Sequence, residues 1–153
     1  FAWRNGIWRF DVDAAANADN ALCALWFGPD NSGLLSEAED ALDPHLNWTD
    51  HGDRFWCNCP YGNMMAWCRT FAWQAGKVFT EALLPANTGT RWFAYCRETA
   101  AEIELLGPGR LQYLIGGLPA KNSNTTDSML VRWRPGVSGG ATIRLTDWRK
   151  EMK

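Results

Sequence analysis

Residues Asn58-Cys59-Pro60-Tyr61 put a side-chain amide, a proline-flanked carbonyl and a phenol ring within four positions. Those groups suit one kind of chemistry. An exocyclic amine on a heteroaromatic ring is a poor nucleophile because its lone pair is delocalised into the ring. An amide oxygen and a backbone carbonyl can each accept one N–H, drawing electron density toward nitrogen and favouring its pyramidal geometry. Asn58 offers the first acceptor and the carbonyl of Cys59 the second. Pro60 fixes φ, removes a competing donor and holds that carbonyl in place. Tyr61 offers a face on which a base flipped out of a duplex can stack. The same four residues also suit a plain strand-ending turn, where Asn, Pro and Tyr are common.

Such a segment needs a strand before it and a helix after it, and the flanking residues have those patterns. Residues 54–58 read as a short strand rich in aromatic residues and Cys. Residues 64–75 carry Met64, Met65, Trp67, Cys68, Phe71 and Ala72 at helical spacing, with Gly76 as the stop. Upstream, residues 8–12 read as a first strand and 17–25 as a helix, with 24–27 as an alternative short strand. Ser36 and Glu39 resemble a capping box that Asp43-Pro44 soon ends. Downstream, 77–84 reads as a strand stopped by Pro85, and 89–101 as a helix. Residues 102–106, 110–114 and 128–133 read as strands, separated by Gly-Pro-Gly and by the polar loop 120–127. Strand–helix alternation followed by a late strand cluster predicts an α/β sheet, mainly parallel, with an antiparallel edge strand.

Composition bounds the function classes. The 153 residues suit one domain, and 46% hydrophobic with 21% charged residues excludes a disordered chain. No stretch approaches the roughly 20 apolar residues of a membrane helix, and no signal peptide is visible. The net charge of −2 argues against a strongly basic surface, but the charge is uneven. Residues 1–131 hold nine Lys/Arg against fifteen Asp/Glu, whereas residues 132–153 hold six against two. The basic end reads either as a phosphate-tracking arm or as an ordinary solvated terminus. Ten tryptophans are mostly core, with one or two available as stacking platforms. Five cysteines without a secretory signal point to free thiols in a reducing compartment. Cys57-x-Cys59 lacks a second pair at zinc spacing, and with His45 and His51 nearby it reads as buried thiols ahead of a mixed metal site.

The sequence resembles the phage and prophage family of DNA N6-adenine methyltransferases. Four segments match in order: Phe10-Asp11-Val12-Asp13-Ala14-Ala15-Ala16 the first strand and turn, Trp56-Cys57-Asn58-Cys59-Pro60-Tyr61-Gly62 the Asn-Pro-Pro-Tyr motif, residues 84–93 the segment after the fifth strand, and Gly109-Arg110-Leu111 the Gly-Arg turn. The family usually has Pro where this chain has Cys59. That keeps the carbonyl, removes a constraint on φ and adds a backbone N–H. The resemblance implies a Rossmann-like class I fold that transfers a methyl group from S-adenosylmethionine to the N6 amine of adenine in DNA, without a metal, in the cytoplasm of a bacterial or phage-infected cell. The same acceptors suit the N4 amine of cytosine. A degenerate, non-catalytic nucleic-acid-binding domain is the reading from a different class.

By the same resemblance, Asn58, Cys59, Pro60 and Tyr61 are the catalytic residues, and Asn58 also touches the cofactor. Asp13 marks the acidic turn beneath the methionine moiety, with Asp11 beside it. Ala14 and Ala15 let backbone approach the ligand, though without the φ freedom of glycine. Asp30 and Asp40 are candidates for the ribose hydroxyls or the adenine amine. Thr88, Thr90 and Trp92 follow the fifth strand and join Tyr61 as candidates for the target-base pocket. Arg110 would hold a phosphate or pair with an acid. Residues 1–135 are assigned to the methyltransferase domain, whose Thr-Pro segment is expected upstream of Phe1. Residues 136–153 are assigned to a basic C-terminal tail or extension.

Overall fold

A computed structural model describes residues 2–29, 40–112, 114–115, 118–119, 125–137 and 139–151. The chain forms α1 (Ala2–Trp8), β1 (Val12–Asp13), β2 (Leu25–Trp26), β3 (Arg54–Cys57), α2 (Met64–Gln74), β4 (Phe79–Pro85), α3 (Arg91–Thr99), β5 (Glu102–Leu106), β6 (Leu114–Ile115), β7 (Leu118–Pro119), β8 (Ser128–Trp133), β9 (Thr142–Thr146) and α4 (Trp148–Glu151). Short 3-10 turns at Trp48–Asp50 and Tyr61–Asn63 precede β3 and α2. Seven strands make one sheet in the order β2-β1-β3-β4-β8-β5-β9, while β6 and β7 form a separate hairpin.

The α/β class and the mainly parallel sheet are as expected from the sequence, with one correction. The antiparallel strand is not at the edge. β8 pairs antiparallel with both β4 and β5, and β9 closes that side by pairing parallel with β5. Burial explains the placement: every residue of β8 is buried, whereas β9 is exposed from Thr142 to Leu145. A strand without polar alternation belongs between neighbours. Residues 136–153 therefore supply a sheet strand and a short helix that continue the domain.

Strand alternation divides the core between two faces. On one face Val12, Phe55, Cys57, Ala82, Leu84, Ile103 and Val131 pack against Trp67, Cys68 and Phe71 of α2 and Phe93 and Cys96 of α3. On the other face Trp56, Leu83, Leu106 and Leu130 pack against Trp3 and Trp8 of α1 and Trp148 of α4. That second face also buries charge. Glu81, Arg132, Glu104 and Arg4 are all 4% exposed or less. Register sets Glu81 of β4 and Glu102 of β5 on either side of Arg132. Arg132 bonds Glu81 and Glu104 and reaches Glu102 at 2.7 Å. Arg4 of α1 grips both oxygens of Glu81, its Nε at 2.6 Å from Oε1. Arg144 and Arg134 complete the network from the solvent side, at 2.9 Å from Glu104 and 3.1 Å from Glu102. Three arginines of the supposed basic end are thus internal counter-ions. Lys150 pairs with Asp147, and Arg149 bonds the Pro108 carbonyl.

Local polar groups overrule two expectations. Of residues 8–12 only Val12 enters a strand, β1: α1 runs to Trp8, the chain breaks at Arg9 with φ 52°, and Asn5 Oδ1 accepts the Phe10 N–H at 2.8 Å. Residues 17–25 do not form a helix. Asn17 Oδ1 takes the N–H groups of Asp19 and Asn20, and Asn20 Oδ1 takes that of Asn17 at 2.7 Å, so side chains compete for helical donors. The alternative, a short strand within 24–27, matches β2. Residues 110–112 lie outside any strand, and β6 pairs only with β7. The capping box at Ser36 and Glu39, and residues 120–124 of the polar loop, lie outside the described residues.

One glycine joins the ends of β1 and β2. Gly28 has φ 148°, and a Cβ there would fall well inside contact distance of the Ala16 carbonyl oxygen. The Phe27 N–H bonds Asp13 O at 2.9 Å, and the Ala16 N–H bonds Phe27 O at 3.0 Å, so the two loops are laced together at this point. Gly28→Ala is expected to lower the unfolding free energy by about 1–3 kcal/mol, read from the urea midpoint.

The charge network yields two further expectations. Arg132→Met leaves buried carboxylates without their partner and should cost about 3–5 kcal/mol in the same measurement. Burial alone would raise the Glu104 carboxyl, but hydrogen bonds from Thr146, Arg144 and Arg132, with the Arg132 charge, outweigh it and hold it at about 2 against an ordinary 4.5. A depressed carboxyl stabilises the fold above its unfolded value, and that stability is lost as pH falls through the folded one. Between pH 4.5 and 2 a loss of order 3 kcal/mol is expected from this group. Urea midpoints measured across that window should fall for the wild type and flatten for Glu104→Gln.

Candidate active site

Asn58-Cys59-Pro60-Tyr61 leaves the carboxyl end of β3 and turns into α2. Open α/β sheets bind ligands at that end of their parallel strands. Asn58, Pro60 and Tyr61 are exposed, Tyr61 at 40%, whereas Cys59 is buried at 3%. The Tyr61 hydroxyl donates to Asn58 Oδ1 at 3.2 Å. Amide and ring therefore already meet on the solvent side of the loop.

Cys59 explains how the loop keeps its shape without a second proline. Its side chain enters the core beneath α2 and α3. That side chain shares the buried cluster with the Cys57 thiol. Burial first, then the Cys59 contacts and the Asp13 charge, pushes the Cys57 thiol well up. The Cys96 thiol is raised by its hydrogen bond with Cys68, Sγ to Sγ 3.3 Å, and by burial. These are neutral thiols packed as small apolar groups. His45 and His51 line a separate hollow with Asp43 and Asp50, so no mixed Cys–His site assembles. Among the described residues no three His, Cys, Asp or Glu side chains converge as a metal-binding group.

Beside the motif, a cleft of about 290 Å³ opens between the ends of β1 and β2 and the start of α2. It is lined by Ala14, Ala15, Asp40 and Pro60 among the residues singled out from sequence. Asn17, Asn20, Phe27 and Trp67 also line it and were not singled out. Their signal was position: each follows a parallel strand or turns toward one, at the end where ligands bind. The lining offers small residues for close backbone approach, polar groups at Asn17, Asn20 and Asp40, and aromatic faces at Phe27 and Trp67. That chemistry fits a ligand with a flat ring at one end and polar groups along its length.

The remaining candidates divide. Asp13 is buried beneath the cleft, and its two oxygens take the backbone N–H groups of Ala15 at 3.3 Å and Leu22 at 3.1 Å. Burial raises its carboxyl, and those two bonds pull the other way. It shapes the turn. Asp11 lies at the opposite end of β1, where one oxygen accepts from Asp53 N and Arg54 N at 3.0 Å each. The structure does not bring it to the cleft, because a two-residue strand separates the two carboxylates by its full length. Asp30 lies outside the described residues. Asp40 accepts the Leu42 N–H at 2.9 Å while facing the cleft.

Past β4, Thr88 lines a hollow of about 320 Å³ with Ala86, Leu106, Gly107 and Asp127, at the same end of the sheet as Asn58. Thr90 caps α3: its Oγ1 accepts from Phe93 N at 3.3 Å and donates to Asn87 O at 2.8 Å. Trp92 is half-buried against the core. Arg110 pairs with Asp127 at 3.6 Å, both exposed. A larger hollow of about 810 Å³, among Arg69, Trp73, Tyr95 and Val137, lies at the far ends of α2 and α3 and contains no motif residue.

A sequence model of the family described as DNA N-6-adenine-methyltransferase (Dam) matches residues 3–152. A DNA N-6-adenine-methyltransferase of Escherichia phage T1 is 27% identical over 96 residues, covering 62% of this chain and 36% of that protein. The chain thus spans about a third of the length of that relative. The crystal structure of a predicted O-methyltransferase from Agrobacterium tumefaciens superposes over 77% of this chain and 55% of its own, with a TM-score of 0.36 and 20% identity. With its model matched along nearly the whole sequence, from the first helix to the last, the chain belongs to the DNA N-6-adenine-methyltransferase (Dam) family.

Proposed function

We propose that the protein transfers a methyl group from S-adenosylmethionine to the N6 amine of adenine in DNA, acting in the cytoplasm of a bacterial or phage-infected bacterial cell. One observation carries this reading. The Asn58 amide oxygen and the Tyr61 ring sit together on the exposed side of a loop whose next residue, Pro60, lines the cleft under β1 and β2. An amine held by the loop would therefore lie beside whatever fills the cleft.

In this reading Asn17, Asn20 and Asp40 bind the polar groups of the cofactor, Ala14 and Ala15 admit it close to the main chain, and Phe27 or Trp67 packs on its adenine. Bound S-adenosylmethionine supplies a methyl group already activated by its sulfonium charge. Tyr61 stacks on the flipped base and fixes its plane. Asn58 Oδ1 accepts one N6–H and the Cys59 carbonyl the other, raising the electron density on nitrogen. Pro60 of the same loop lines the cleft, so the loop as a whole would align the nitrogen with the methyl carbon. The N–C bond would form as the methyl–sulfur bond breaks, the electron pair staying on sulfur in S-adenosylhomocysteine, and the methylated amine would lose one proton to solvent. Thr88 and Arg110 flank the same end of the sheet, where they would line the path of the DNA.

The test is to incubate full-length protein with methyl-labelled cofactor and duplex DNA, then digest the DNA to nucleosides. Label is expected in N6-methyladenine. Label in N4-methylcytosine would reassign the base, and no label in any DNA would overturn the reading. Asn58→Ala should lower kcat by about 100-fold or more. Tyr61→Ala should chiefly weaken capture of the flipped base, by about 1–3 kcal/mol in kcat/KM, and Tyr61→Phe should restore that part. Full activity in Asn58→Ala would exclude this site.

A further inference from the structure

The two edges of the sheet are unlike. β2 is two residues long, too short to template another strand. β9 is five residues, Thr142-Ile143-Arg144-Leu145-Thr146, with no proline and with Arg144 as its one charge, drawn back to Glu102 and Glu104 of its own chain. Natural edge strands of this length normally carry a proline or a free charge as a guard. The apolar residues of β9 also face solvent, Ile143 at 45% and Leu145 at 75%.

The backbone directions can be read from the bonds on the other side. The Thr142 N–H donates to Ala101 O at 3.1 Å, and Thr146 O accepts from Gly107 N at 2.9 Å. In a parallel ladder alternate residues serve one neighbour, so Thr142, Arg144 and Thr146 turn their backbone groups to β5. Ile143 and Leu145 turn theirs outward. Their side chains share the face of their register partners Ile103 and Leu105, beside the core under α2 and α3.

We propose that β9 pairs antiparallel with β9 of a second copy of this chain, about a two-fold axis at Arg144. In this register Ile143 stands opposite Leu145 of the other copy, twice. Both members of each pair point N–H and C=O outward, so each pair makes two backbone hydrogen bonds. Each pair also sets an apolar side chain against an apolar side chain on the same face, and sets Thr142 opposite Thr146 on the other. Arg144 meets its own copy at the axis. Like charges facing each other there would oppose pairing, but each guanidinium is already bound by Glu104 at 2.9 Å and Glu102 at 3.4 Å of its own chain. Those bonds draw each guanidinium toward its own β5, and the self-complementary apolar pairs select a second copy over an unrelated extended peptide. The axis stands perpendicular to the sheet, so the two Asn58 ends point in opposite directions and each copy acts alone.

The interface is small, so association is expected in the micromolar range rather than below it. Sedimentation velocity on the full-length protein over rising concentration should show a monomer–dimer equilibrium. Ile143→Lys, at a position 45% exposed and away from the Thr88 hollow, should raise the dissociation constant at least about tenfold while leaving methyl transfer per chain unchanged. Arg144→Cys places one thiol per copy at the axis. With oxidised glutathione as the two-electron acceptor, it should form an intermolecular disulfide that the wild type does not form. A wild type that stays monomeric at several hundred micromolar overturns the inference. So does an Ile143→Lys dimer as tight as the wild type, or a persistent dimer whose Arg144→Cys form fails to cross-link. None of these outcomes bears on whether DNA is methylated.

Discussion

The carboxylate of Glu81 is enclosed in the middle of the sheet, and the architecture is arranged to keep it paired. A charge with no exposure must be matched by full charges and hydrogen bonds, or it expels itself by protonation or unfolding. Arg132 reaches it from the antiparallel strand and Arg4 from the first helix, 51 and 77 residues away in sequence. β8 is therefore held between β4 and β5, and α1 is held across the face. β4 then forms the wall against which β3 lies in register, from Arg54 opposite Phe79 to Cys57 opposite Ala82. The loop that begins at Asn58 inherits its position from that chain of constraints. Removing one partner from such a network leaves a buried charge uncompensated, so strand order and charge pairing stand or fall together.

Elements built on apolar periodicity were legible from the sequence. α2, β4, α3, β5 and β8 fall within a few residues of their expected limits because hydrophobic spacing alone decides them. The short strands at Val12 and within 24–27 were partly legible, but between them side-chain amides and a carboxylate settle the chain: Asn17 and Asn20 take helical donors, and Asp13 takes the Leu22 N–H. β9 escaped for another reason. Its Thr-Ile-Arg-Leu-Thr alternation is a strand pattern, but the arginines around it suggested a solvated basic arm. Their partners, Glu81, Glu102 and Glu104, are distant in sequence, and only strand register brings them together. The motif itself was readable as one amide, one carbonyl and one ring. The adjoining cleft was half readable, since Ala14, Ala15 and Asp40 were named while Asn17, Asn20, Phe27 and Trp67 depend on the path of the loops.

The substitution at Cys59 shows how a backbone constraint can be replaced by packing. Proline limits a loop by closing a ring on its own nitrogen. Here the same nitrogen keeps its hydrogen, and the side chain is held in a buried cluster with Cys57, Cys68 and Cys96 under two helices. Such packing holds while the side chain stays buried, as it is at 3% exposure. The loop thereby becomes sensitive to changes in α2 and α3 that a proline-held loop would ignore.

The bond between the Tyr61 hydroxyl and Asn58 Oδ1 gives the resting loop a directional property. An amide oxygen has two lone pairs, and one of them is already engaged. The acceptor open to a visitor is a single lobe with a fixed heading, set by the neighbour three positions along the chain. The loop is then a slot with an orientation rather than a general polar surface. A donor approaching along that heading gains its bond at once, and one arriving from elsewhere must first displace a phenol.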